Sequence, residues 1–206
     1  MITSGSRCGS SSDTIFDPPP SITMTCEWIH RIIVPPAIVI SAGAIPCYAT
    51  TYLTAAQAQK VCFPEATSFR PADIKLTPQQ VKAIEKDSGV RVRLDSQKVW
   101  RAMTGDKSLG WLIADEVLGK HEFINWVLAL NADGSVKQIE ILDYRETYGY
   151  QIRDEKWREQ FCGKGHGAKL KLDEDIKNVS GATLSCRHIT DGVKRLLSFY
   201  EVVLKR

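Results

Sequence analysis

Phe123-Ile124-Asn125-Trp126-Val127-Leu128-Ala129-Leu130, Asn131-Ala132-Asp133-Gly134 and Val136-Lys137-Gln138-Ile139-Glu140-Ile141-Leu142 follow one another almost without a break. Two runs of β-branched and large apolar residues flank a cluster of Asn, Asp and Gly, which is the pattern of a β-hairpin. So short a connection makes the strands antiparallel, because parallel neighbours need a long crossover. Toward the N-terminus, Val99 to Met103 and Gly110 to Val117 repeat the pattern around Gly105-Asp106-Lys107. Together these runs predict an antiparallel meander. Helical patterns lie on either side of it. Ala55 to Phe63 reads as a short helix, and so does Thr77 to Ser88, with Pro78 in its first turn, Gly89 after its end and Val81 and Ile84 on its apolar side. Asp154 to Phe161 is a third, with Trp157 and Phe161 on one side. From Ile189 onward, apolar residues recur at Val193, Leu196, Leu197, Tyr200 and Leu204, in steps that share one helical face. The fold class is α+β: an antiparallel β-meander packed with helices, ending in an amphipathic helix.

The 206 residues suffice for one domain with extensions, and 43% apolar content is that of a globular chain. A formal charge of +3, dispersed and without a basic stripe, excludes nucleic acid as a partner. Residues 1–31 are rich in Ser, Gly and Pro and read as a disordered tail, or as sequence upstream of a true start at Met24, together with a short charged region. Residues 32–58 read as a signal peptide or N-terminal membrane anchor. Ile32 to Ala49 is uncharged and mostly apolar, and Cys47-Tyr48-Ala49 and Ala56-Gln57-Ala58 each offer a small-x-small exit. Pro35, Pro36 and Pro46 interrupt the run, which puts the cleaved signal ahead of the anchor, with a lipoprotein last. Residues 59–98 form a helical lead-in, and 99–206 form the main domain. Of six cysteines, Cys62, Cys162 and Cys186 would remain after the targeting segment, an odd number that leaves a Cys162–Cys186 pair open. No haem-attachment or zinc spacing is present.

The chemistry concentrates at Val179-Ser180-Gly181-Ala182-Thr183-Leu184-Ser185. Small residues lead to a hydroxyl where the last helix begins, and Ser180, Thr183 or Ser185 is the expected N-cap. The start of a helix offers unpaired N–H groups and partial positive charge, which favour a phosphate. The plainer reading is a capped helix after a Ser/Gly turn.

Ser180-Gly181-Ala182-Thr183 resembles the flavinylation motif of the FMN-binding domain family. That family includes the flavin-carrying subunits of sodium-translocating NADH:quinone oxidoreductases and Rnf-type complexes. Tyr144-Arg145-Glu146-Thr147-Tyr148-Gly149 resembles the family's His-x-Glu-Thr-Pro-Gly segment, with Tyr144 and Tyr148 in place of His and Pro. Lys120-His121-Glu122 precedes both in the family's order, and the likeness covers roughly Val99 to Leu197. It implies FMN joined through its phosphate to Thr183 by a Mg-dependent flavin transferase. The implied cofactor contacts are Ser180, Gly181, Ala182, Leu184 and Ser185 at the motif, Glu146, Thr147 and Gly149 in the second segment, and Lys120, His121 and Tyr144. It also implies an exported electron carrier, in the periplasm or on the outer face of the cytoplasmic membrane, that exchanges electrons with membrane-bound redox proteins or quinone-linked carriers. One position departs from the family: Lys177 stands three residues before Ser180, where an acidic residue is usual, with Asp173, Glu174 and Asp175 out of register. The alternatives are a non-covalent FMN-binding or sensory module, and a domain that has lost its cofactor. No hydrolytic triad, paired carboxylates or Gly-x-Gly-x-x-Gly points to an autonomous enzyme. Gly163-Lys164-Gly165-His166-Gly167 reads as a mobile hinge.

Overall fold

The computed structural model describes residues 52–205. The tail, Met24, the apolar run and Cys8, Cys26 and Cys47 lie outside the described residues. The four expected strands are present as β3 (Ser96–Thr104), β4 (Lys107–Leu118), β5 (Phe123–Asn131) and β6 (Val136–Asp143). They pair antiparallel in sequence order, with Leu112 opposite Ala129 and Leu128 opposite Ile139. The lead-in does more than the sequence suggested. It supplies β1 (Ser68–Pro71) and β2 (Ile74–Lys75), which both pair with β3 and complete a six-stranded sheet. These strands are four and two residues long, too short to show an alternation.

Both faces of the sheet are covered, because successive side chains along a strand point to opposite sides. Ile124, Trp126, Leu128 and Leu130 of β5 join the larger core, with α2 (Pro78–Ser88) and α4 (Thr183–Phe199) above it. Val127 and Ala129 face the smaller one, which is closed by Cys62 and Phe63 at the end of α1 (Ala55–Cys62). Ala58, in the second cleavage exit proposed above, is fully buried in α1. Ile189, Val193, Leu196 and Leu197 are all nearly inaccessible, as the helical period predicts. Burial of each contributes roughly 1.5–3 kcal/mol. Every helix start with a Thr before it is capped as its sequence implies. Thr77 accepts from Gln80 N, and the Gln80 side chain accepts from Thr77 N in return.

Two local expectations change. Asp154 to Phe161 is not one helix: a 3-10 turn (Tyr150–Arg153), a single turn α3 (Glu155–Arg158) and another 3-10 turn (Glu159–Phe161) replace it. The Trp157 and Phe161 rings still meet edge to face, 5.2 Å apart. The glycine-rich hinge is tied down. Gly163 N donates to Val136 O at 2.7 Å and Val136 N to Lys164 O at 2.8 Å. Lys164 reaches Asp175 at 3.0 Å, and His166 reaches Asp87 at 2.6 Å. Among the described residues no helix is long and apolar enough to cross a membrane.

Candidate functional site

Three segments distant in sequence converge on one cleft of about 460 Å³. The β4–β5 turn brings Lys120 and His121, the stretch after β6 brings Glu146, Thr147 and Tyr148, and the start of α4 brings Gly181 through Ser185. This size falls within the range of small-molecule sites.

The motif is aimed by what precedes it. Ile176 is fully buried, and the Lys177 backbone is held from both sides: its carbonyl accepts from Trp157 Nε1 and its N–H donates to Gln160 Oε1, both at 2.8 Å. The Lys177 side chain is exposed. Asp175 is occupied with the Leu170 and Lys171 N–H groups and with Lys164. The chain then turns so that Ala182 is the N-cap of α4, in place of the hydroxyl residue expected from the sequence. None of Ser180, Thr183 and Ser185 caps the helix. Ser185 is buried, Ser180 lies off the cleft wall, and Thr183 is the first helical residue, exposed and facing the cleft. Thr183 Oγ1 accepts from Asn178 Nδ2 at 3.2 Å, a contact no sequence pattern announced. With an alanine as cap, the N–H groups of Thr183, Leu184 and Ser185 have no acceptor among the described residues. Seventeen residues of helix dipole thus end in unpaired donors on the cleft wall.

Glu146 has a different role from a direct cofactor contact alone. Its Oε1 accepts from His121 N at 2.6 Å and Glu122 N at 3.0 Å, so the carboxylate pins the turn that carries Lys120 and His121. Partial burial opposes its ionisation, but the Glu122, His121 and Lys120 N–H groups outweigh it and hold the carboxyl below its usual range. The approach is so close that a Cβ at Gly119 would stand 2.5 Å from Glu146 Oε1.

Tyr144 and Gly149 are not on the cleft wall. Tyr144 is 4% exposed, its phenol donates to Tyr148 O, and burial raises its pKa. Gly149 takes φ +85°, and a Cβ there would lie 2.3 Å from Ala182 Cβ. Gly149 thus lies against the motif's Ala182, and Tyr144 ties to the Tyr148 backbone. Tyr148, 76% exposed, is the aromatic that lines the cleft instead, beside Leu184 at 41%. An aromatic with no place in the strand alternation was the one signal that could have marked it. No group of His, Cys, Asp and Glu among the described residues could hold a metal ion. The cysteines among the described residues are unpaired: Cys162 is exposed and Cys186 buried, its thiol pushed up to about 11 by desolvation.

Residues 119–198, which contain all three segments, match the FMN-binding domain family. The chain carries a domain of this family. FMN is its cofactor. The match starts at the glycine beneath Glu146 and ends within α4, so the family's boundaries enclose the cleft. A protein of Clostridium ljungdahlii, one component of its proton-translocating ferredoxin:NAD(+) oxidoreductase complex, is 26% identical over 129 residues, 59% of this chain and 70% of that protein. The crystal structure of Shewanella oneidensis NqrC has a TM-score of 0.49 and 16% identity, covering 69% of this chain and 84% of that one. The donor set of the FMN-binding domain suits a phosphate monoester: uncapped N–H groups of α4, Lys120 and the Thr183 hydroxyl line one cleft together with Leu184 and Tyr148.

Proposed function

We propose that this chain is an exported electron carrier whose FMN is tethered by a phosphoester to Thr183. The observation that carries the reading is the exposed Thr183 hydroxyl at an uncapped helix start inside the cleft. FMN supplies the one- and two-electron redox chemistry, and the protein supplies orientation and electrostatics. The α4 N–H groups and Lys120 neutralise phosphate charge. Asn178 donates to Thr183 Oγ1 and so leaves the hydroxyl hydrogen uncommitted. Glu146 keeps Lys120 and His121 facing the cleft, and Tyr148 with Leu184 offers an apolar surface to an aromatic ring. A Mg-dependent flavin transferase is the expected maturation partner. The Clostridium relative's place in a proton-translocating oxidoreductase complex supports membrane-bound redox partners. The apolar run preceded by Arg31 supports export.

Intact mass of the exported protein, produced with and without a flavin transferase, tests the tether. A gain of one FMN less water in the wild type and in Thr183→Ser, absent in Thr183→Ala and absent without transferase, is the expected result. Lys177 in the usually acidic position favours a second reading, in which FMN is held without a covalent bond. Yellow protein of unchanged mass would establish that reading and refute the tether. Colourless protein of unchanged mass would refute both.

A further inference from the structure

A second concavity, of about 450 Å³, adjoins the same β4–β5 connection. Val117 and Leu118 line it, whereas Lys120 and His121 line the flavin cleft. Its other walls are the segment 90–93 after α2 and the α4 face made by His188, Asp191, Gly192 and Arg195. Arg195 forms part of the lining although it is only 6% exposed. Its Nη2 donates to Asp115 Oδ2 at 2.6 Å, and its other guanidinium nitrogens have no acceptor among the described residues. Nor are they sealed in the core: the buried nitrogens and oxygens without a partner belong to Trp126, Asp143 and Gln151. A guanidinium carries five donors, and a largely buried one with donors to spare is matched best by an anion. Arg91 and Arg93 stand at the rim and form no salt bridge among the described residues. The Arg93 guanidinium stacks 5.4 Å from the Phe123 ring centroid, and Val92 N donates to Glu85 Oε1 at 2.9 Å, so the rim is anchored on both sides. His188 Nδ1 faces the Leu118 carbonyl. A carbonyl only accepts, so Nδ1 bears the proton and Nε2 remains for a ligand. Against three guanidinium groups stand the carboxylates of Asp191, of Asp115, already paired with Arg195, and of Glu85, held by Val92 N.

We propose that this cleft is an anion site distinct from the flavin cleft, built for a small organic acid or phosphate ester. The acid group is taken by the free edge of Arg195 and by Arg91 and Arg93, with the carbon skeleton against Val90, Val92, Val117 and Leu118. Asp191 selects ligands that also present a hydroxyl or amine donor. Because Leu118 borders this cleft and Lys120 the other, the β4–β5 turn separates the two, and a ligand here does not compete for the residues of the first cleft.

Nuclear magnetic resonance on the full chain with its FMN tests this, by titration of citrate and of inorganic phosphate at ionic strength held constant with sodium chloride. The expected result is saturable shifts at the Arg91, Arg93 and Arg195 side-chain N–H groups and at the amides of 188–192, with half-saturation near about 1 mM or below. Arg91→Ala/Arg93→Ala should weaken binding by about fivefold or more while FMN content stays unchanged. Shifts confined to Lys120, His121 and Thr183 to Ser185, shifts that never saturate, or equal affinity in the double variant would each overturn the proposal. None of these outcomes bears on whether Thr183 carries FMN.

Discussion

Replacing Glu146 with Ala removes one side chain but should loosen a turn on the other side of the cleft. Its Oε1 receives two backbone N–H groups, from His121 and Glu122. A hydrogen bond to a charged group contributes about 1.5–3 kcal/mol when well desolvated. Glu146 is half-buried beside an open cleft, and solvent screening reduces that figure. For the pair together a loss of about 2 kcal/mol follows. Glu146→Gln retains an acceptor without the charge and should lose about half as much, ~1 kcal/mol. The sign of the pH dependence is set by the lowered carboxyl pKa. The stabilisation is fully present above the unfolded glutamate value of about 4.3 and is lost as pH falls through the lower folded value. Urea unfolding should therefore separate the three proteins at pH 7, and the wild-type advantage over Glu146→Gln should fade as pH falls below the unfolded glutamate value. Hydrogen exchange should accelerate at residues 119–122 in the variants, and FMN should dissociate faster wherever it is not tethered. Gly119→Ala offers a coupled test, because its Cβ would collide with Oε1. Its cost should shrink in the Glu146→Ala background, the mark of a direct contact in a double-mutant cycle. Unchanged urea stability and unchanged exchange at 119–122 in Glu146→Ala would refute the argument that this carboxylate holds the turn.

Gly149→Ala should destabilise the protein by about 1–3 kcal/mol and reduce FMN content, because it adds strain at φ +85° and a clash with Ala182. Urea unfolding and the flavin-to-protein absorbance ratio would check it, and wild-type values for both would contradict it. Among the described cysteines of the native protein, iodoacetamide at pH 8 should label Cys162 alone. Cys62 is pushed up to about 12 and Cys186 to about 11 by burial, so neither offers an accessible thiolate. Peptide mass mapping would decide, and rapid native labelling of Cys186 would show that α4 opens at its start.

Much of the architecture was legible because it rests on local rules. The Asn131 to Gly134 turn made β5 and β6 antiparallel neighbours, and the period from Ile189 to Leu197 marked the buried face of α4. The site segments were legible too, as three short motifs in a recognisable order; nine of the implied contacts line the cleft, with Tyr148 as the tenth lining residue. β1 and β2 were not, since strands this short carry no period and exist only because β3 offers an edge to pair with. The roles within the motifs were equally hidden. As candidate N-caps Ser180, Thr183 and Ser185 are equivalent, and only the motif resemblance singles out Thr183. Only the backbone path, fixed by Trp157 and Gln160 on Lys177, decides that Thr183 faces the cleft and that α4 starts uncapped. Tyr144 and Gly149 lie off the cleft wall, Gly149 close against Ala182 and Tyr144 bonded to the Tyr148 carbonyl, placements that no local pattern records. The sequence by itself determined the strands, the last helix and the segments that bear chemistry, since periodicity and turn residues act over a few neighbours. Tertiary structure alone decided which atoms share a wall, because the contacts of Glu146 with His121 and of Arg195 with Asp115 span 25 and 80 residues, and no local pattern records them.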